Sequence, residues 1–301
     1  LKWQRAASVD LKASERRQSE MNRTRQEETS QTVVWNGVAG QSWVTAQALL
    51  DQLFAPFEER LVEAAALARP RQALDIGCGT GGVTLAVARA LGPAGRAVGI
   101  DISAAMVAAA EARAREAACP AGFIQADAGS HRFEPGAYDL LISRFGVMFF
   151  EAPVAAFANL RRAATPDARL RAIAWRSPGE NPFMTTAERA AAPLLPDLPP
   201  RRTDAPGQFA FADAERVRGI LEASGWRRVE IAPLDLDCVL PAAELERYFT
   251  LLGPVGRLLP EVDAQTRAQV VERLHGAFAP FVRGAEVRFA AACWWICAEA
   301  A

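Results

Sequence analysis

The chain holds 301 residues, 50% hydrophobic and 23% charged, with a formal net charge of −1. That length supports a large core, or one core with an appended subdomain. No apolar run approaches the roughly 18 residues of a membrane span, and the even charge balance excludes the basic excess of a general nucleic-acid or acidic-membrane binder.

Scarce residues exclude further classes. Lysine occurs only at Lys2 and Lys12 and histidine only at His131 and His275. A phosphate-loop lysine, a Schiff base and a Tyr-x-x-x-Lys dehydrogenase pair are therefore absent, and no G-x-S-x-G elbow is present. Two histidines and no Cys-x-x-Cys pair give no reason to expect a zinc site or any other metal. Cys78, Cys119, Cys238, Cys293 and Cys297 are odd in number and scattered, the usage of a reducing cytoplasm, where the protein is expected to reside.

Residues 1–31 are polar and lack sustained apolar periodicity, so they are expected to be a disordered or loosely helical extension with no signal-peptide core. The remainder, 32–301, reads as one domain. Trp35, Val38, Trp43, Val44, Leu49, Leu50, Leu53, Phe54 and Phe57 predict one or two amphipathic helices leading into its core. Strand and helix then alternate. Strands are predicted at 73–76, 97–100, 123–125, 138–143 and 169–175, with helices to about 91, over 103–118 and over 153–164. Repeated units of this kind predict a doubly wound, mostly parallel α/β sheet.

Residues 193–207 hold five prolines and read as a loop, after which Asp213 caps a helix that ends at Gly225. Val229, Ile231, Leu234 and Leu236 read as a strand whose alternation slips at Pro233, as at a bulge or strand end. Pro241 is expected to open a helix, with Leu245, Tyr248, Phe249 and Leu252 on one buried face. Val270, Leu274, Phe278 and Phe281 line another helix, and 286–298 form a strong final strand with Trp294 and Trp295 packing on its two faces.

The sharpest signal lies at 73–88, ALDIGCGTGGVTLAVA. A strand brings in Asp75, and glycines at 77, 79, 81 and 82 turn the chain into a helix. Such a turn needs backbone angles and a close approach that a side chain blocks, and its amides with the helix N-terminus favour polar or anionic ligand groups. The second strand ends in Asp101, where a carboxylate can accept both hydroxyls of a ribose. The third is followed by Asp127, placed for an adenine amino group.

These elements, in order DIGCGTG, GIDIS, and the Asp-Ala after the third strand, resemble the class I S-adenosylmethionine-dependent methyltransferases. YDLLISRFGVMFF and FANLRRAATPDARL continue the likeness. It is similar in particular to the small-molecule group that includes ubiquinone and menaquinone biosynthesis enzymes. One departure is Pro166-Asp167-Ala168, where the family often has Pro-Gly-Gly. The resemblance implies a Rossmann-like, seven-stranded, mostly parallel sheet with residues 286–298 as an antiparallel strand near one edge. It also implies a helical cap from about 32–60, 176–210 and 241–283.

The implied cosubstrate is S-adenosyl-L-methionine. The residues implied to hold it are Asp75 and Gly77, Cys78, Gly79 and Gly81 around methionine and ribose, and Asp101 on the ribose hydroxyls. Ile102 and Met106 would flank adenine, Ala126, Asp127 and Ala128 would frame its edge, and Ser143 and Arg144 would stand at the methionine end. Trp35, Trp43, Phe145, Met148, Phe149 and Trp175, with Phe183, are the candidates for contact with a small, largely apolar acceptor. No catalytic base is readable. Gly77-x-Gly79-x-x-Gly82 also satisfies the dinucleotide fingerprint, so a nicotinamide-dependent oxidoreductase is the alternative, as is a non-catalytic donor-binding protein of this fold. The oligomeric state has no signature in the sequence.

Overall fold

The computed structural model describes residues 30–201 and 205–300. All but the last two residues of the expected N-terminal extension lie outside that range. Four short helices come first, α1 (Gln31–Asn36), α2 (Val38–Thr45), α3 (Gln47–Leu53) and α4 (Ala55–Ala68), where one or two were expected. The apolar positions do form a buried face, but Gly37, Ala46 and Phe54 leave helical geometry or end a hydrogen-bonded run, and each break redirects the chain over the sheet.

The alternation then follows the expected order. It runs β1 (Gln72–Ile76), α5 (Gly82–Leu91), β2 (Arg96–Asp101), α6 (Ala104–Glu116), β3 (Gly122–Gln125) and β4 (Tyr138–Arg144). It continues with α7 (Pro153–Ala163), β5 (Ala164–Trp175) and α8 (Pro182–Ala191), a helix not foreseen in the sequence, and α9 (Ala214–Ala223). Asp213 caps α9 as expected, its carboxylate accepting from the amides of Glu215 and Arg216, a cap worth about 1 kcal/mol.

The last elements are β6 (Arg227–Pro241), α10 (Leu245–Leu251), α11 (Gly253–Leu258), α12 (Ala264–Phe278), β7 (Val282–Arg283) and β8 (Glu286–Glu299). Pro241 ends β6 instead of opening a helix; a single 3-10 turn separates it from α10. Phe281 falls just past α12, in a second such turn.

The sheet order is β3-β2-β1-β4-β5-β8-β6, with two-residue β7 paired to β8. β1 to β5 run parallel, and β8 runs antiparallel between β5 and β6. This is the expected α/β Rossmann-like methyltransferase sheet with a helical cap. The antiparallel insertion also distinguishes it from the doubly wound dinucleotide fold, whose six parallel strands run 3-2-1-4-5-6.

The slip at Pro233 has a different cause from the one expected. Register between β6 and β8 is unbroken from Glu230↔Cys297 to Pro241↔Glu286, and the shift lies earlier, between Arg227 and Glu230, where Arg228 has φ +49°. Ile231 lies on the same face as Ile296, whereas Leu234, Leu236, Cys238 and Leu240 lie on the face of Cys293, Ala291, Phe289 and Val287. The alternation changes because the covered face changes. Trp294 and Trp295 do pack on opposite faces: the Trp294 indole donates to the Ala212 carbonyl, and the Arg60 guanidinium lies 4.7 Å from the Trp295 ring centre.

Two features of the core position the site. Asp75, buried near the end of β1, accepts a 2.7 Å hydrogen bond from Thr84 Oγ1 in the first turn of α5 and so ties the strand to the helix across the glycine turn. Gly77 and Gly146 cross back to back. A Cβ on Gly146 would stand 2.4 Å from the Ile76 carbonyl oxygen and 2.8 Å from Gly77 Cα, backbone atoms that cannot swing away.

Two outcomes are expected. Burial raises the Asp75 carboxyl from its ordinary 3.8 to about 6. Folding thus disfavours its charged form, so stability is highest with the group protonated and falls as pH rises from about 4 to about 6. Two pH units correspond to about 3 kcal/mol. Urea titrations should show Asp75→Asn flattening that limb and unfolding later than wild type at pH 7.5; an unchanged limb would show that Asp75 does not titrate there. Gly146→Ala should lose about 2–3 kcal/mol by overpacking, read in the urea midpoint, with wild-type stability as the contrary result.

Candidate functional site

The C-terminal ends of β4, β1, β2 and β3 lie in a row, and the residues that follow them face one cavity of about 870 Å³. In an open α/β sheet this crevice beyond the strand ends, at the point where chain order reverses, is where ligands bind. β1 is that point here, flanked by β2 and β4.

The turn after β1 folds across β2. The amides of Gly77 and Cys78 donate to the Ile100 carbonyl at 2.9 and 3.1 Å, and the Gly79 amide donates to Asp101 Oδ2 at 2.8 Å. Asp101 Oδ1 accepts from the Ser103 amide at 2.9 Å, so the carboxylate is fixed by two backbone donors and keeps lone pairs toward the cavity. Burial pushes its pKa up, opposed by those backbone bonds. Asp127 is held similarly, its two oxygens accepting from the Gly129 amide and the Ser130 hydroxyl.

Gly77, Gly79, Asp101, Ile102, Met106, Ala126, Asp127, Ala128 and Arg144 all line the cavity. Asp75, Cys78, Gly81 and Ser143 do not line it and act from behind its wall. The Cys78 thiol lies against Gly99 and Thr84, and burial raises its pKa well above the ordinary thiol value, which removes it as a nucleophile. Gly81, at φ +82°, is the N-cap of α5. Ser143 Oγ donates to the Ile76 carbonyl at 2.8 Å and accepts from the amides of Gly146 and Val147, clamping the turn after β4 against β1.

All seven acceptor candidates line the same cavity. Phe145 has φ +66°, a left-handed conformation that costs a non-glycine residue on the order of 1–3 kcal/mol. It is held there by its amide, which donates to the Ile173 carbonyl, and by stacking on Trp175 at 4.6 Å with 13° between planes. Trp35 meets Trp43 and Phe149 edge-on at 5.7 and 5.1 Å. Phe183 sits deeper, stacked on Phe289 of β8 at 3.7 Å.

Several contributors have no motif in the sequence. Gln31 and Asn36 anchor α1 beside the cavity, the first by its amide to Glu151 Oε1, the second by its side chain to the Ile102 carbonyl and the Ala104 amide. From α8, the loop after it, α10 and α11 come Glu188, Arg201, Gln208, Tyr248 and Arg257. The Arg201 guanidinium forks onto both Glu188 oxygens, with Nε to Oε2 at 3.0 Å, and donates to Gln208 Oε1 at 3.0 Å. Tyr248 could have been singled out by its place on the apolar stripe of α10; the others carry no local pattern. His131, in the loop after β3, does not line the cavity, and its ring rests on Phe133. Among the described residues no group of acids, cysteines and histidines could hold a metal, and no helix is long and apolar enough to cross a membrane.

Residues 73–167, from β1 into β5, match a family of methyltransferase domains. The chain is 29% identical over 240 residues to nocamycin O-methyltransferase of Saccharothrix syringae, covering 74% of this chain and 83% of that one. It is 27% identical over 166 residues to the ubiquinone/menaquinone biosynthesis C-methyltransferase UbiE of Stutzerimonas stutzeri, covering 52% and 65%. Among solved structures, the YcgJ protein of Bacillus subtilis superposes with a TM-score of 0.53 at 16% identity, over 80% of this chain and 97% of that one, which shows a shared fold. The sheet order and the helical cap are those of the Rossmann-like methyltransferase fold, and residues 73–167 carry the likeness to a methyltransferase domain.

Proposed function

We propose that this protein transfers a methyl group from S-adenosylmethionine to a small, largely apolar acceptor. The observation that carries the reading is the continuity of the cavity. One end is a polar cradle of backbone turns and fixed carboxylates at the strand ends, and the other is an aromatic chamber beneath the cap.

The cradle suits the donor. Asp101 offers an oriented anionic acceptor for the ribose hydroxyls, Ile102 and Met106 give apolar faces for adenine, and the glycine turn leaves the cavity free of side chains where the amino-acid portion must pass. When bound, the donor supplies an electrophilic methyl carbon on a cationic sulfur. An acceptor lone pair forms the new bond to that carbon while the carbon–sulfur pair returns to sulfur, leaving a neutral thioether. Alignment and exclusion of water can supply much of the catalysis, and an aromatic lining such as Phe145 and Trp175 can favour positive charge. Nocamycin O-methyltransferase, matched over most of both chains, favours oxygen as the methylated atom.

Titration calorimetry with S-adenosylhomocysteine and with NADH tests the reading: the first should bind and the second should not, and the reverse result overturns it. Asp101→Ala should weaken S-adenosylhomocysteine by about ten- to a hundredfold, the worth of one or two charged hydrogen bonds. Asp127→Ala should cost less, because adenine keeps its apolar contacts. The raised Asp101 pKa adds a direction: affinity should begin to fall on acidification at a higher pH than an ordinary carboxylate would give. Equal losses at the two positions would refute the ribose assignment.

A further inference from the structure

The chamber under the cap is not neutral in its hydrogen-bonding capacity. Among the described residues Glu188 is the acidic side chain at this end, and Arg201 takes both its oxygens. The Gln208 carbonyl oxygen is also taken by Arg201. The donors are in surplus. Among the described residues Tyr248 Oη donates only to the thioether sulfur of Met184, at 3.5 Å, a weak acceptor. Arg257, on α11, is half-buried, lines the cavity, and has no hydrogen bond or ion pair among the described residues. Glu188 acts on it electrostatically from beyond ion-pair distance and is already neutralised by Arg201. Burial pulls the Arg257 pKa below the ordinary arginine value, yet a guanidinium stays charged at physiological pH.

A half-buried cation with five donors and no partner carries a desolvation cost that a ligand can relieve. We propose that Arg257 is the anchor of the acceptor site, and that the acceptor is an amphipathic acid, with an apolar body on the aromatic wall and an anionic carboxylate or enolate oxygen on Arg257 and Tyr248. The proposal rests on the methyl-transfer reading for the word acceptor, but the anion site stands on the cavity alone. It also fits the absence, among the described residues, of an unpaired base at this end. An acceptor that arrives ionised gives up no proton; when the anionic oxygen is itself methylated, the new O–CH3 bond forms from its lone pair, the CH3–S bond pair goes to sulfur, and both charges vanish.

The test uses full-length protein at pH 7.5 and matched pairs of probes: 4-phenylbutanoate and 6-phenylhexanoate, each against its primary amide. Binding is read by quenching of tryptophan fluorescence, since Trp43 and Trp175 line the cavity, with and without S-adenosylhomocysteine. Wild type should bind each acid at least about tenfold more tightly than its amide, the lower bound for a charged hydrogen bond. Arg257→Gln should reduce that preference to about twofold or less, and Arg257→Lys should retain most of it, with circular dichroism and S-adenosylhomocysteine affinity unchanged in both.

Equal binding of acid and amide by wild type, failure of both acids to bind, or a preference that survives Arg257→Gln would overturn the proposal. Failure of S-adenosylhomocysteine to bind, with the acid preference intact, would instead overturn the methyl-transfer reading and leave the anion site standing.

Discussion

The turns after β1 and β4 cross at Gly77 and Gly146 so closely that a methyl on the first would stand 2.6 Å from the other's Cα, and a methyl on the second 2.8 Å from the first's. Nothing larger than hydrogen fits between them, and the rest of the site follows from that spacing. With the two turns locked together by the Ser143 hydroxyl, the chain after β1 must lean over β2, where Gly79 meets Asp101. The chain after β4 must lean toward β5, where Phe145 takes its left-handed conformation and lies flat on Trp175. The polar cradle and the aromatic wall are thus the two sides of one crossing.

The cradle was legible because each of its parts is local. A glycine turn between a strand and a helix, or an acid at a strand end, is written in consecutive residues, and Gly77, Gly79, Asp101, Met106 and Asp127 reach the cavity from such signals. Asp75, Cys78 and Ser143 belong to the same local signals but face away, because a motif records which residues meet and not which atoms they turn toward. Ser143 makes the limit clear: its place after the fourth strand was readable, and its bonds to Ile76, Gly146 and Val147 join two strands 67 positions apart in sequence.

The cap was legible as apolar surface and illegible as chemistry. Apolar spacing predicted buried faces on α10 and α12, and Leu245, Phe249, Val270, Leu274 and Phe278 are buried. Arg201, Glu188 and Arg257 follow no spacing, since a charged residue on a short helix or a proline-rich loop ordinarily faces water. What brings them inward is tertiary. Asn181, buried just before α8, exchanges two 2.9 Å hydrogen bonds with the Ala292 backbone and so extends the β5–β8 pairing by one further rung. That rung sets α8 against the sheet and turns Glu188 into the chamber. The pattern slip at Pro233 belongs to the same problem: alternation tells which residues share a face, and only the packed helices tell which face is covered.

On the proposed reading, these long-range contacts sort two substrates along one cavity by charge. The donor carries a sulfonium, and the strand-end cradle presents Asp101 and Asp127, while its own cation, Arg144, is held by Glu58 and by the Phe54 carbonyl. The cap end carries Arg201, balanced by Glu188, and Arg257, unbalanced. A field that runs from acidic strand ends to a basic cap favours a cation at one end and an anion at the other, and each arrangement reversed would be repelled at both. Between partly buried groups such terms are less screened than at the surface, so a single unpaired guanidinium can decide orientation where the apolar walls, which are tolerant of shape, cannot. Transfer of the methyl then removes the positive charge at the cradle, and with it the donor's attraction to Asp101 and Asp127.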